Sequence, residues 1–437
     1  MTTIESLYSI FLKSSGVSID TRTLKRGNIF FALSGDKNNG NEYIDEAFDK
    51  GAIAAVANDT YIGSDTKCII VSDVLKCLQN LATHHRKIWG KTVFAITGSN
   101  GKTTSKELCA SVLQESFRIA LTAGNFNNHI GVPLTLLSIQ REDDMAIIEM
   151  GANHPGEIAR LCEIAQPTLG VITNIGQAHL EGFGSLEGVL KAKTELFRYL
   201  SRNKGLVFVH SRYDCLLHAA GKDLPVIKYG EQDGDFLKAS LKSVFPSLCI
   251  KILNPAPNYE VMMNLYGGYN FENAILAACV GHYFGVNSTW IKKRLEAYVP
   301  DNNRSQLIEQ NDQQIILDAY NANPASMRSA IQQFSDYPAK RKVAILGDMF
   351  ELGELEQAAH QEIAALAESK AFDLLILVGK VFRTVEIRSE TKVFSKTATC
   401  SLWLSNHPFT DQNAILIKGS RGMKLESIVP EISLVSQ

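Results

Sequence analysis

Residues 92–104 read TVFAITGSNGKTT. An apolar, strand-like run passes directly into a glycine-bearing loop, and the pattern after it predicts a helix from Lys102 to about Glu115. That order is what a phosphate cradle requires. Glycines let the backbone wrap close to an anion, amides at the helix start donate to its oxygens, and Lys102 adds a cation able to follow the β- and γ-phosphates. Gly98, Ser99, Asn100, Gly101, Lys102, Thr103 and Thr104 are therefore the candidate ATP-binding residues, and Thr103 or Thr104 can place a hydroxyl on magnesium. The spacing departs from the general G-x-x-x-x-G-K-[ST] signature, because position 96 is Ile and the usable glycines are Gly98 and Gly101. A glycine-rich turn capping an ordinary helix would carry the same glycines; the strand before it and the G-K-T-T after it favour the cradle.

Working outward, a chain of 437 residues is expected to hold two to four domains. Residues 1–88 mix short strands (28–33, 52–57, 68–71) with short helical stretches such as 45–50, a small α/β unit. Residues 89–300 continue the strand, loop and helix rhythm through MAIIEM (145–150), GVITNI (170–175), a helix over about 186–200 and GLVFVH (205–210). The stretch 225–265 reads as more antiparallel, and a helix over 270–284 leads to a polar turn at 300–304. Residues 301–437 resume the rhythm with QIILDAYN, KVAILGDM, LLILVGK and AILIKGSR. The expected fold is α/β with three domains: a small N-terminal α/β substrate domain, a central parallel-sheet P-loop ATPase domain and a C-terminal Rossmann-like domain. Ligands should converge on the carboxyl ends of the strands.

Lys plus Arg number 44 and Asp plus Glu 46, leaving a net charge of -2 and no basic field that would draw a nucleic acid. With 45% hydrophobic and 21% charged residues the chain can bury several cores. Its 8 cysteines are scattered singly, without zinc-ligand spacing, and read as reduced buried thiols. The first residues lack a signal-peptide pattern, and no apolar run reaches the ~18 residues of a membrane span, so a cytoplasmic protein is expected.

TGSNGKTT also resembles the T-G-[TS]-N-G-K-T loop of the Mur ligase family of ATP-dependent, amide-bond-forming cell-wall enzymes. The likeness continues in the family's order through GNFNNHIGVPLTLL (124–137), EMGANHPGEI (149–158), NIGQAHLEGFGS (174–185), AKTELF (192–197), NNRSQ (302–306), DAYNANPASM (318–327), GDMFELGE (347–354) and KGSRG (418–422). The resemblance implies a ligase joining D-alanyl-D-alanine to UDP-N-acetylmuramoyl-tripeptide through an acyl phosphate, in peptidoglycan precursor synthesis. It further implies ATP and two magnesium ions, no nucleic-acid partner and a monomer. Two departures are Asn41, where a His is frequent, and Tyr269, which precedes Asn270 where many relatives carry His.

The resemblance assigns roles residue by residue. Glu149 ends an apolar strand, where a carboxylate can reach metal beside the phosphate loop; a surface carboxylate at a strand end is the other reading. His179 follows GVITNI and would serve a second magnesium. Lys193 aligns with a lysine that carries a carbamate in related ligases, although Lys191 lies two residues away and a solvated helix lysine would look the same. Asn270 and Asn273 would meet the adenine edge or cap their helix. Arg304 and Asp318 would reach the ATP phosphates and ribose, or form interdomain salt bridges. Residues 1–88, through Thr21 and Arg22, would bind the nucleotide-sugar, and Asn127, Asn128 and His129 would contact the uridyl-sugar-peptide substrate. Asn321 and Asn323 would contact the dipeptide or the nucleotide. Gly347, Asp348 and residues 418–421 would face the same cleft, where Arg421 could hold a carboxylate.

Two other readings share these motifs. A sibling ligase adding the third peptide residue, of the kind that selects diaminopimelate, would carry D-N-P-R, which is absent; a folate polyglutamate ligase uses the same chemistry. A nucleotide-dependent switch would keep the loop but need no acceptor domain.

Overall fold

The computed structural model describes residues 3–35, 38–63, 66–176, 180–310, 313–409 and 412–432. Among them the strands form three sheets, of four, nine and six strands. The first contains Val17–Ser18, Ile29–Phe31, Ala54–Asn58 and Cys68–Val71, all parallel and in chain order. Beside it runs the helix Val74–Trp89, started by Asp73, whose carboxylate accepts from Lys76 N at 2.9 Å, and stopped by Gly90 at φ 70. Arg86 of this helix is buried and donates to Ala165 O and Gln166 O, both at 3.0 Å, satisfying the C-terminal carbonyls of the helix Glu157–Ala165.

The second sheet explains the apolar run at 92–97. Thr92–Thr97 lies between Met145–Glu149 and Leu169–Ile172, parallel to both. Val93 and Ala95 enter the core on one face, Phe94 and Ile96 the core on the other. A strand covered on both faces has no polar side to show, hence the continuous hydrophobic reading. Because the chain crosses to opposite sides of this strand, the loop after it opens at the point where the sheet's winding reverses. The sheet runs on through Leu206–His210, Val226–Gly230 and Leu237–Ser243, all parallel, before Cys249–Asn254 and Tyr259–Met262 turn antiparallel. The expected antiparallel character of 225–265 thus starts only after Leu237–Ser243.

In the third sheet Gln306–Gln310 forms an antiparallel edge on Gln313–Asp318, and the remaining strands are parallel. Registration of Asp318 against Lys418 sets two opposite charges side by side at the carboxyl ends. This sheet docks on the second through aromatic packing: Phe245 meets Tyr337 edge-on at 5.5 Å, and Tyr266 lies 5.9 Å from Tyr337. Gly268 N donates to Gln333 Oε1 at 2.9 Å across the same boundary.

One expected helix is two. Over 186–200 the chain forms Leu186–Lys193 and Glu195–Arg202, interrupted at Thr194. The Thr194 hydroxyl donates to Leu190 O at 2.8 Å, which also accepts from Thr194 N at 2.9 Å, and to Lys191 O at 3.2 Å, which also accepts from Arg198 Nη2 at 2.9 Å, so side chains crowd the carbonyls at the break. Among the described residues no helix is long and apolar enough to cross a membrane.

Candidate active site

The phosphate loop keeps its shape because its glycines have no room for anything larger. Gly98 and Gly101 take φ of 146 and 77, and a Cβ would lie 2.0 Å from Thr173 Oγ1 at the first and 2.4 Å from Asn273 Oδ1 at the second. The neighbouring strand end fastens the loop. Asn100 N donates to Asn174 Oδ1 at 2.9 Å, Thr173 Oγ1 donates to Asn100 O at 2.6 Å, and Ser99 Oγ donates to Gly176 O at 3.0 Å. Lys102 Nζ lies back over the loop, donating to Gly98 O at 2.8 Å and Ser99 O at 3.1 Å. Burial lowers its pKa; nearby Arg304 lowers it further and Glu149 opposes both.

Glu149 is 2% exposed and does not belong to the surface. Its Oε2 accepts from Thr103 Oγ1 at 2.8 Å and its Oε1 from Asn127 Nδ2 at 2.8 Å. Of the two threonines, Thr103 is therefore the one on the carboxylate, while Thr104 also lines the cleft. Hydroxyl and carboxylate form an oxygen pair that suits a hard cation. Among the described residues no group of three or more His, Cys, Asp or Glu could hold a metal.

Lys191 and Lys193 are distinguished by burial: Lys191 is exposed, whereas Lys193 is 1% exposed with Nζ 3.5 Å from Ala152 O and 5.5 Å from the centroid of Phe183. Burial first, and then the Lys102 charge, lower its pKa to about 7. It sits immediately behind the cleft wall that Ala152 forms. His179 lies outside the described residues.

Asn270 and Asn273 are on the cleft wall but already engaged. Asn273 Nδ2 donates to Asn270 Oδ1 at 2.8 Å, Asn270 Nδ2 to Tyr266 O at 2.7 Å, and Ser105 Oγ to Asn273 Oδ1 at 3.0 Å. They tie the turn Gly268–Asn270 to the phosphate-loop helix. Asn128 Oδ1 accepts from Ile130 N and Gly131 N at 3.1 and 2.9 Å, capping Gly131–Leu137, while His129 is exposed at the rim.

The C-terminal domain closes the other side. Lys418 Nζ donates to Asp318 Oδ2 at 2.5 Å, and Ser305 N to Asp318 Oδ1 at 3.2 Å. Arg304 pairs with no carboxylate among the described residues; its guanidinium stacks 3.8 Å from the Tyr320 centroid. Asn323 caps the helix Pro324–Ser335 with Oδ1 and donates from Nδ2 to Asn100 Oδ1 at 2.8 Å, directly onto the phosphate loop. Asn321 Oδ1 accepts from Ala322 N at 2.9 Å at the exposed lip.

Ser99 to Thr104, Asn127, Asn128, His129, Glu149, Asn270, Asn273, Arg304, Asp318, Asn321 and Asn323 all line one cleft of about 1050 Å³. Thr21 and Arg22 are not part of it; the Arg22 guanidinium is forked onto Asp20. Asp348 corrects an expectation. Its carboxylate accepts from Val381 N at 3.0 Å and Phe382 N at 3.1 Å and points into the domain, away from the cleft. Sequence reading missed Asn174, which lies in a quoted motif, and the pair Arg212 and Glu272, 2.5 Å apart in the cleft, for which no local pattern exists.

A phosphate cradle, a buried carboxylate–hydroxyl pair and a second α/β domain closing over both define a nucleotide-dependent enzyme of several domains. Residues 96–281 match the Mur ligase middle domain and residues 303–421 the Mur ligase, glutamate ligase domain. The chain belongs to the Mur ligase family. The UDP-N-acetylmuramoyl-tripeptide--D-alanyl-D-alanine ligase of Bacillus subtilis (strain 168) is 33% identical over 441 residues, covering 95% of this chain and 93% of that protein. MurF from Acinetobacter baumannii superposes with a TM-score of 0.86 at 28% identity, covering 99% of this chain and 98% of that one. The MurF ligase from Thermotoga maritima in complex with ADP shares the fold at a TM-score of 0.85 and 24% identity, covering 97% of this chain and 98% of that one.

Proposed function

We propose that this chain is an ATP-dependent ligase that joins D-alanyl-D-alanine to UDP-N-acetylmuramoyl-tripeptide, giving UDP-N-acetylmuramoyl-pentapeptide, ADP and phosphate. The observation that carries the reading is the single cleft in which Lys102, the Thr103–Glu149 pair and the C-terminal Arg304 and Asp318 meet. Full-length likeness to D-alanyl-D-alanine-adding relatives supports the choice of substrates, and the ADP complex of the Thermotoga relative supports the nucleotide.

A carboxylate does not condense with an amine in water, because oxide is too poor a leaving group. In the proposed reaction the tripeptide's terminal carboxylate oxygen attacks the γ-phosphorus of ATP and ADP departs. The free amine of the dipeptide then attacks the acyl carbon, and phosphate leaves with the transferred oxygen. Lys102 follows the phosphates; Arg304 adds charge as anionic groups approach one another. Thr103 and Glu149 would hold magnesium, which supplies charge neutralisation at the phosphates. Lys193, with a pKa of about 7, would add carbon dioxide through its neutral amine, release a proton and present carbamate oxygens to a second ion together with His179. Asn270 and Asn273 would face the adenine, and Asn321 and Asn323 the dipeptide. Asn127, Asn128 and His129 would meet the acceptor's peptide end.

The domain roles follow: residues 1–88, with Thr21 and Arg22, bind the nucleotide-sugar; 89–300 bind ATP; 301–437 close over it. A cytoplasmic monomer suits these soluble substrates. Incubation with ATP, magnesium, UDP-N-acetylmuramoyl-tripeptide and D-alanyl-D-alanine should yield a product heavier by the dipeptide less one water, with phosphate release requiring both acceptor and amine. Hydrolysis without either would favour a nucleotide switch instead.

A further inference from the structure

Arg304 reaches the cleft from the segment that leads from the helix Ser288–Ala297 to Gln306–Gln310, the edge strand of the six-stranded sheet. The chain bends sharply around it. Asn303 and Ser305, on either side, take φ of 58 and 51, the left-handed region that a side chain makes costly. Backbone of this kind keeps its course only where its surroundings hold it. After Arg304 the hold is local to the cleft: Ser305 N donates to Asp318 Oδ1 at 3.2 Å, Ser305 O accepts from Tyr266 N at 3.4 Å, and Ser305 Oγ lies 3.0 Å from Tyr269 Oη.

Before Arg304 the hold comes from the phosphate-loop helix Lys102–Leu113. Glu107 of that helix accepts through Oε2 from both Tyr298 Oη and Asn302 Nδ2, each at 2.7 Å. A charged oxygen that takes two short hydrogen bonds fixes both donors. Its other oxygen, Oε1, lies 3.9 Å from the buried Lys106 Nζ, which is in turn 3.9 Å from Glu149 Oε2. A row of alternating charge therefore runs from the carboxylate beside the phosphate loop to Asn302, two residues short of Arg304. Glu107 itself does not line the cleft, so contact with a substrate does not explain it. Arg304 depends on such support, because its Nε is buried without a hydrogen bond and its guanidinium rests on the face of Tyr320. The backbone that carries it sets where it points.

We propose that Glu107 is a positioning residue: by gripping Tyr298 and Asn302 it fixes the chain's entry into Arg304 and so aims that guanidinium at the phosphates of bound ATP. The assignment rests on the ligase reading above, in which Arg304 meets those phosphates.

A double-mutant cycle tests this. Glu107→Ala should lower kcat/KM for ATP by about 10- to 100-fold, the range of a small misplacement, and leave the dipeptide KM in place. Glu107→Gln, whose amide oxygen can still accept both bonds, should recover most of the loss. Arg304→Ala should lose at least as much as Glu107→Ala, and combining the two should cost less than about twofold beyond Arg304→Ala alone, because the first acts through the second. Should Glu107→Ala fold poorly, Asn302→Ala breaks the same grip from the other side and takes its place in the cycle. Wild-type kinetics in Glu107→Ala, or losses that multiply in the double variant, would overturn the proposal. Absence of pentapeptide from wild-type incubations would instead overturn the ligase reading, and the cycle is then read in ATP affinity by calorimetry, with the same non-additivity expected and additive losses again overturning it.

Discussion

Lys193 ends a helix with its amine turned into the protein, and burial together with Lys102 brings its pKa to about 7. About half the amine is therefore uncharged near neutrality, where an ordinary lysine would be almost wholly protonated. Only the uncharged form can add carbon dioxide. Activity should accordingly fall as pH drops below 7, decline in bicarbonate-depleted buffer and return on adding bicarbonate. Lys193→Ala should lose at least about tenfold in kcat; full activity in that variant would rule the carbamate out. His210 is the second titrating group of consequence. It is 2% exposed, its Nδ1 accepts from Arg212 N at 3.2 Å, and burial lowers its pKa from 6.5 to about 4. The unfolded chain therefore binds more protons between those values, so the contribution is intact above 6.5 and is lost as pH falls towards 4. Melting at pH 7 and pH 5 should show about 2 kcal/mol less acid destabilisation in His210→Asn than in wild type. Lys102 and Glu149 were legible because each sits inside a contiguous segment. Tyr320 lay in a quoted motif too, but Arg304, which stacks on its ring, comes from a separate part of the chain, and no local pattern announces that pairing.

Strands buried on both faces were the most legible elements, since a short uninterrupted apolar run between turn residues fits little besides a strand covered on each side. What escaped was set by single side chains. Thr194 marks the break, with Lys193 buried behind the cleft wall before it and Glu195 turned to the helix Glu157–Ala165 after it. There the Glu195 carboxylate accepts from Gly156 N at 2.8 Å and Ala159 N at 2.9 Å, capping that helix from a distant part of the chain. Glu195→Ala should cost about 1–3 kcal/mol in a denaturant titration, as expected for leaving two amides unsatisfied. Glu195→Gln, which can still accept one of the bonds, should recover part of it. Equal stability of wild type and the alanine variant would mean that water replaces the carboxylate.

At the scale of the molecule, the nine- and six-stranded sheets present their loops to a cleft that neither forms alone. Three parallel α/β units could be anticipated from the recurring rhythm of strand and helix; their docking could not, because it depends on pairs such as Gln333 with Gly268 and Asn323 with Asn100. Asn323→Ala removes one hydrogen bond between the C-terminal domain and the phosphate loop. Worth about 0.5–1.5 kcal/mol, its loss should lower kcat/KM for ATP by about 2- to 10-fold without unfolding the protein. The central chemical claim is that ATP phosphorylates the tripeptide's carboxylate, and oxygen transfer reads that event directly. With the terminal carboxylate of UDP-N-acetylmuramoyl-tripeptide labelled with oxygen-18, one labelled oxygen should appear in each phosphate released as pentapeptide forms. Phosphate free of label, with pentapeptide still accumulating, would contradict an acyl phosphate on the path.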